Sequence, residues 1–309
     1  MLNEKPIVLG YSNWAGWWPW AIAEQKGLFK ANGVNVEMKW FDSYTDSMKA
    51  FAAGQLDGNS QTLNDTITFA PDSPNGQVVV LVNDNSAGND KIIAAEGIND
   101  IKDLKGRKVA VEEGVVDDFL LSLALQEAGM SRKDVQIVPL ETGAAAAAFV
   151  AGKVDAVGAF PPFWLVALKR PGSREIASSA SFPGAIPDLL VTSRKLIQEN
   201  PKAVQALVKT WFDTRRFMVE NTAEAKTIMA KRAGVSESEM DQLLEGTKFF
   251  TIEDNLLAFS PGETMQNMSY AATKMVDFMK EFGFLKKAPD LATLFDAQFV
   301  KAYAAAKGQ

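Results

Sequence analysis

Apolar and polar positions along this chain fall into short blocks whose period switches between two and roughly three and a half. Pro6 to Gly10 (PIVLG) is an apolar run that predicts a buried strand. Ser12 and Asn13 follow, residue types that favour turns and helix caps, and Gly16 frees the backbone before Trp17. From Pro19, the positions Trp20, Ile22, Ala23, Leu28 and Phe29 fit a helix closing near Gly27. Val34 to Phe41 alternates and predicts a second strand. Asp42 to Thr45 then supplies a turn and the start of a helix over Asp46 to Ala53, stopped by Gly54. A short strand leads into Gln61-Thr62-Leu63-Asn64-Asp65. Val78 to Asn83 (VVVLVN) predicts a buried strand, with a polar, flexible stretch Asp84 to Asp90 behind it.

The order then repeats. Lys108 to Val111 corresponds to the first strand, Glu112-Glu113-Gly114 to the first turn, and Asp117 onward to the first helix. Ala50 to Gly58 (AFAAGQLDG) resembles Ala148 to Val157 (AFVAGKVDAV), with Gly54 and Gly152 in matching places. The spacing, roughly 100 positions, is far longer than a solenoid period, so it predicts two α/β lobes of one plan. Ala159 to Trp164 reads as a loop after a short strand, Ser178 to Pro187 as a loop, and Leu189 to Thr192 as a returning strand. Beyond Ser193 the pattern is helical: Pro201 to Val219, Ala223 to Ala233, Glu237 to Glu245, Met265 to Phe282 and Leu291 to Ala305. That much helix predicts a wrapping that completes the first lobe. The expected class is α/β: two similar lobes, each a central sheet flanked by helices, with a ligand cleft between them and a helical C-terminal region.

Composition narrows the function. The 309 residues suit two lobes rather than one core. A net charge of −6 and a pI near 5.0 argue against a nucleic-acid surface. No apolar run is long enough to span a membrane, and no charged n-region precedes an apolar h-region, so no signal segment is expected. A Met placed before LNEKPIVLG would look the same had one been removed. The absence of cysteine excludes disulfides and thiolate nucleophiles. The absence of histidine removes the commonest general base and metal ligand. Phosphate-loop, dinucleotide and calcium-loop motifs are missing, so no catalytic residue, metal or cofactor is predicted.

One stretch stands out. Trp14, Trp17 and Trp18 are three of the seven tryptophans and fall within five residues. They follow a strand, and open α/β sheets bind ligands at the carboxyl ends of their strands. Any single ring could be core; three beside Ser12 and Asn13 read as one wall of a cleft.

The strand with WAGWWPWAIAEQKGLFKANGVNVEM, then AFAAGQLDG, DLKGRKVAVEEG and AFVAGKVDAVGAF, resembles the solute-binding proteins of nitrate-, sulfonate- and taurine-type ABC importers over about residues 6 to 280. The resemblance implies a periplasmic-binding fold of type II. Residues 1–90 with 190–309 would form one lobe and 91–189 the other, with crossings near Gly88 to Ala94 and Ala185 to Val191. Hinge closure would trap a small-molecule ligand. The resemblance also implies a monomer in the periplasm or anchored outside the cytoplasm, partnered by permease subunits, without nucleic acid and without catalysis. Pyrimidine synthases similar to this family depend on a histidine and desulfinases on a cysteine; this chain has neither. LysR-type regulators carry a comparable module behind a helix-turn-helix that is missing here.

Ligand contacts in the family come from loops that correspond here to Ser12–Trp17, Gln61–Asp65, Asn89–Asp90, Glu113–Asp118, Phe160–Phe163 and Asp188. The expected set is Asn13, Trp14, Trp17, Gln61, Asn64, Asp65, Asp90, Glu113, Asp117, Phe160 and Asp188. Trp14, Trp17 and Phe160 would be apolar walls, Asp65, Glu113 and Asp117 polar anchors, and Asn13 and Gln61 hydrogen-bonding groups. Sulfonate and nitrate binders carry basic residues or histidine in these turns, whereas these loops hold acids and no Lys or Arg. Carboxylates beside tryptophan suit a small nitrogen-containing cation or zwitterion. They would repel nitrate, taurine or an alkyl sulfonate, the alternative ligands. An enzyme using carboxylate or lysine chemistry on the same fold is the other alternative. The acids also have ordinary readings: Asp65, Asp117 and Asp118 as helix caps, Glu112 as solvated, Asp84 and Asp90 as surface.

Overall fold

The structure, a computed structural model, describes residues 5–307; the six terminal residues counted in the expected first lobe lie outside these. Its strands are β1 Ile7–Tyr11, β2 Val36–Trp40, β3 Gly58–Thr62, β4 Val78–Ser86, β5 Lys91–Ala94, β6 Lys108–Val111, β7 Gln136–Pro139, β8 Ala156–Ala159, β9 Arg174–Ser178, β10 Pro187–Thr192 and β11 Thr247–Phe249. They form two sheets, ordered β11-β4-β10-β3-β1-β2 and β7-β6-β8-β5-β9. The helices are α1 Pro19–Gln25, α2 Leu28–Ala31, α3 Tyr44–Ala52, α4 Leu63–Phe69, α5 Val116–Glu127, α6 Thr142–Val150 and α7 Phe163–Ala167. After the second sheet come α8 Arg194–Glu199, α9 Pro201–Glu220, α10 Thr222–Ala233, α11 Glu237–Glu245, α12 Ile252–Ala258, α13 Met268–Glu281 and α14 Gln298–Lys307.

The sequence repeat has a physical basis. In each sheet a parallel strand pair is locked by an aspartate in the segment that follows a helix and a left-handed glycine. Gly54 (φ 77°) ends α3, and Asp57 accepts the Val8 N–H at 2.9 Å. Gly152 (φ 74°) ends α6, and Asp155 accepts the Lys108 N–H at 2.9 Å. The backbone N–H of each aspartate returns a 2.9 Å bond to the carbonyl of the same strand residue. The motif AGxxD therefore sets register: it pins β3 beside β1, and β8 beside β6.

The first sheet is mixed. β10 runs antiparallel between β3 and β4, so it closes the sheet from the far side of the chain. α9 packs on α1 and α2, where Trp20 stacks on Phe29 and lies 4.9 Å from Trp211. This is the wrapping the C-terminal helices predict. Two expectations fail. Asp84 to Ser86 are not flexible loop but the end of β4, buried between β10 and β11. Leu291 to Ala305 is not one helix: a short turn at 291–293 leads to Phe295, which bridges Val79 before α14 begins. The short strands β5, β7, β9 and β11 carried no signal, being three to five residues each.

The chain leaves the first sheet after Ser86 and returns to it at Pro187, and the two crossings are stitched together. Ser86 Oγ lies 2.6 Å from Ser179 Oγ, Gly88 N–H donates to Ser179 Oγ at 2.8 Å, and Ser179 N–H donates to the Asp90 carbonyl at 2.9 Å. Buried β4 has a further requirement. The Val82 N–H donates to Asn255 Oδ1 at 2.9 Å, and Asn255 Nδ2 donates to the Val82 carbonyl at 3.0 Å, so one side chain stands in for a missing strand. Replacing Asn255 by Ala orphans both groups in the core, and we expect a loss of about 1–3 kcal/mol, read as a lower urea midpoint.

Candidate ligand-binding site

Between the sheets, at the carboxyl ends of β1, β3 and β8, lies a narrow cavity of about 10 Å³. Four rings form its wall in a continuous series. Trp14 and Trp17 lie 6.3 Å apart, Trp17 and Tyr44 5.4 Å, and Tyr44 and Phe160 6.2 Å edge to face. The first three come from segments of the first sheet and Phe160 from the exit of β8, so the ladder spans both lobes. Asn13, Thr62 and Val116 complete the lining with two acids, Asp90 and Asp188. Both acids lie at the crossings: Asp90 just before β5 and Asp188 second in β10.

The loop after β1 divides its tryptophans by a tight turn, with Trp17 and Trp18 N–H groups both donating to the Trp14 carbonyl. Trp18 turns into the core with Ala21 and Ile22, while Trp14 and Trp17 face the cavity. Gly16 allows this. A Cβ there would fall 1.7 Å from Asp84 Oδ2, so the missing side chain is the space the carboxyl occupies. Asp84 in turn accepts the Trp14 indole N–H at 2.9 Å.

The acids are buried, contrary to the surface reading of Asp84 and Asp90 and the solvated reading of Glu112. Burial pushes Asp65, Asp84 and Asp90 each up to about 7. Asp188 is raised well above the carboxylate range, by burial first and then by Asp84 and Asp90. The basic group that acts on Asp84 is Arg215 of α9, a half-buried guanidinium over the Phe249 ring at 3.9 Å. Its own pKa falls to about 10 through burial. No lining residue is basic.

Of the expected residues, Asn13, Trp14, Trp17, Asp90, Phe160 and Asp188 meet around the cavity. The other five do not line it. Gln61 turns into the core, donating at 2.9 Å to both Thr66 and Gln77 and accepting from Asn59. Asp65 lies one layer behind, where it accepts from Tyr44, Thr62 and Asn64, so Asn64 too is spent on Asp65. Thr62, not Asp65, caps α4. Glu113 is exposed and pairs with Arg132 at 3.4 Å. Asp117 closes its own turn, accepting the N–H groups of Glu112 and Asp118. Asp118 accepts the Gly114 N–H and binds Arg132 at 2.7 Å. Glu112 joins the lobes: it accepts from Thr45 of α3 and from Thr142 of α6 at 2.9 Å. The sequence reading missed Tyr44, which stands at a strand exit like the others but reads locally as a helix start. Among the described residues no three histidine, cysteine or acidic groups converge to hold a metal ion.

The two-sheet fold is also that of known proteins. The NMT1-like family profile matches residues 2–234. The chain belongs to the NMT1-like family. This NMT1-like protein is 28% identical over 307 residues to a protein of Brucella abortus named as a binding protein, covering 98% of this chain and 93% of that one. It is 24% identical over 285 residues to the taurine-binding periplasmic protein of Escherichia coli, covering 89% and 85%. The crystal structure of the periplasmic aliphatic sulphonate binding protein of Escherichia coli superposes with a TM-score of 0.77 at 21% identity, over 94% of this chain and 92% of that chain. The fold is therefore that of periplasmic binding proteins, as the resemblance implies.

Two outcomes test the site without any ligand. Asp65, Asp84 and Asp90 hold protons in the folded state that the unfolded chain releases near pH 4. Their stabilising contribution is thus complete below that pH and is lost as pH rises through about 7. The melting temperature of the ligand-free protein should fall between pH 5 and pH 8. Gly16→Ala should displace the Asp84 carboxyl and lower the melting temperature at both pH values, and an unchanged melt would show that the loop relaxes freely.

Proposed function

We propose that this NMT1-like protein is the extracytoplasmic solute-binding component of an ABC importer, and that its two lobes close on a small planar nitrogen cation of guanidinium or amidinium type. It would act as a monomer, pass its ligand to permease subunits and leave it chemically unchanged. The observation that carries the ligand class is a pair of bare carboxyl oxygens at the cavity. Oδ2 of Asp90 and Oδ2 of Asp188 are buried with no hydrogen-bond donor, in a cavity whose lining holds no basic group. Such oxygens favour N–H donors that carry positive charge.

Size and shape narrow the class. The pocket volume, about 10 Å³, is room for about one water-sized group, so only a very small ligand suits it in this form. Flat aromatic walls favour a planar cation stacked on them. A quaternary ammonium group has no N–H to offer the two oxygens. A zwitterion would bring a second carboxylate to a site already acidic. The competing reading, a small anion, draws on the sulphonate and taurine binders to which the chain is similar. It would need a counter-charge that the lining does not supply.

A melting-temperature screen decides between them, with millimolar guanidinium, acetamidinium, methylammonium, choline, betaine and agmatine run beside taurine, nitrate and an alkyl sulfonate. A ligand at a hundred times its dissociation constant adds about 2.7 kcal/mol, several degrees for a chain of this size. We expect guanidinium and acetamidinium to raise the melt, and Asp90→Asn to abolish the rise. A response to anions alone would overturn the cation reading. Consumption of the bound compound would replace the binding protein with an enzyme.

A further inference from the structure

Asp84 and Asp188 are register partners across β4 and β10. Both carboxyl groups are buried and each acts on the other, and Oδ2 of each has no hydrogen-bond donor. Two carboxylates in that position repel unless one keeps a proton to donate to the other. The surroundings decide which. Trp14 of the loop after β1 donates to Asp84, and Arg215 of α9 attracts its charge. Asp188 faces Asp90 from the crossing and Asp65 from α4, both acids. The nearest charge on β11, Lys248, lies exposed beside Asp254 at 3.8 Å, and Lys91 acts on Asp90. The proton therefore belongs to Asp188, the member of the pair that lines the cavity.

We propose that Asp84 and Asp188 share one proton in the empty site and that an entering cation displaces it, so that capture exchanges one cation for one proton. The inference rests on the cation reading above. The bond that breaks is the Asp188 O–H; its proton passes to solvent, the ligand's positive charge takes its place, and no electrons move. The site is then never asked to hold two bare carboxylates, and it releases its ligand more readily in an acidic medium than in a neutral one.

Titration calorimetry with guanidinium chloride, in phosphate and in Tris between pH 6 and pH 8, counts the protons, because the two buffers absorb them with different heats. We expect about one proton released per cation, and a dissociation constant that falls about tenfold per pH unit while Asp188 remains protonated. Infrared difference spectra should show the protonated-carboxyl band disappearing as guanidinium is added. In Asp188→Asn the amide takes the proton's place as donor to Asp84. The ligand-free melt should then depend less on pH than in the parent protein, a readout that survives even if the variant binds nothing. Binding that releases no proton and ignores pH from 6 to 8 would overturn the exchange and leave the cation reading standing. Absence of binding by any cation at every pH would sink both.

Discussion

The constraint on which this structure turns is the burial of two carboxyl groups side by side on neighbouring antiparallel strands. Carboxyl groups out of water are costly unless they are protonated, paired or hydrogen-bonded. Asp84 and Asp188 stand at the ends of β4 and β10, the strands that lead into and out of the second lobe. Much nearby detail follows from accommodating them. Trp14 supplies an indole donor, Gly16 leaves the space, and Arg215 contributes charge from α9, a helix that follows the return to the first sheet. A purely apolar strand end would pack more simply; this one keeps buried polar groups with oxygens left unpartnered.

The acids also sit where the chain crosses between the two sheets. Asp90 belongs to one crossing and Asp188 borders the other, and serine hydroxyls stitch the two crossings together. The far side of the cleft is held by Glu112, which reaches from the second lobe to Thr45 in the first. The aromatic ladder runs between these points, with Phe160 the rung that arrives from the second lobe. Polar contacts thus bridge both rims, and rings line the middle.

Local features of this site could be read in the chain, and pairings over long distance could not. AGQLDG and AGKVDA were legible as a repeat because helix, left-handed glycine and aspartate follow one another within a few residues. The cavity position was legible because every strand exit carried unusual residues. The split of Trp18 from Trp14 and Trp17 was not, since it depends on one turn whose carbonyl takes two N–H groups. Nor was the burial of Asp84 and Asp90: a run of Asp and Asn reads as loop by composition, and only the register of β10, about a hundred residues later, makes it strand. Arg132 and Arg215, the basic partners, lie outside all the loops considered and reach their acids through helix packing.

The place of β10 has a consequence for how the chain is made. β3 and β4 never touch each other in the finished sheet, because β10 lies between them. A ribosome delivers both long before it delivers residues 187–192, and meanwhile it completes every strand of the second lobe. The first lobe must therefore wait, with two strand edges open toward a gap, until its own insert has folded and handed the chain back. Open edges are where chains pair wrongly. The polar, twisted end of β4 and the hydrogen-bonding side chains of β3, Asn59, Ser60 and Gln61, are poor templates for such pairing. The buried polar residues of β3 and of the end of β4 thus also guard the half-made protein.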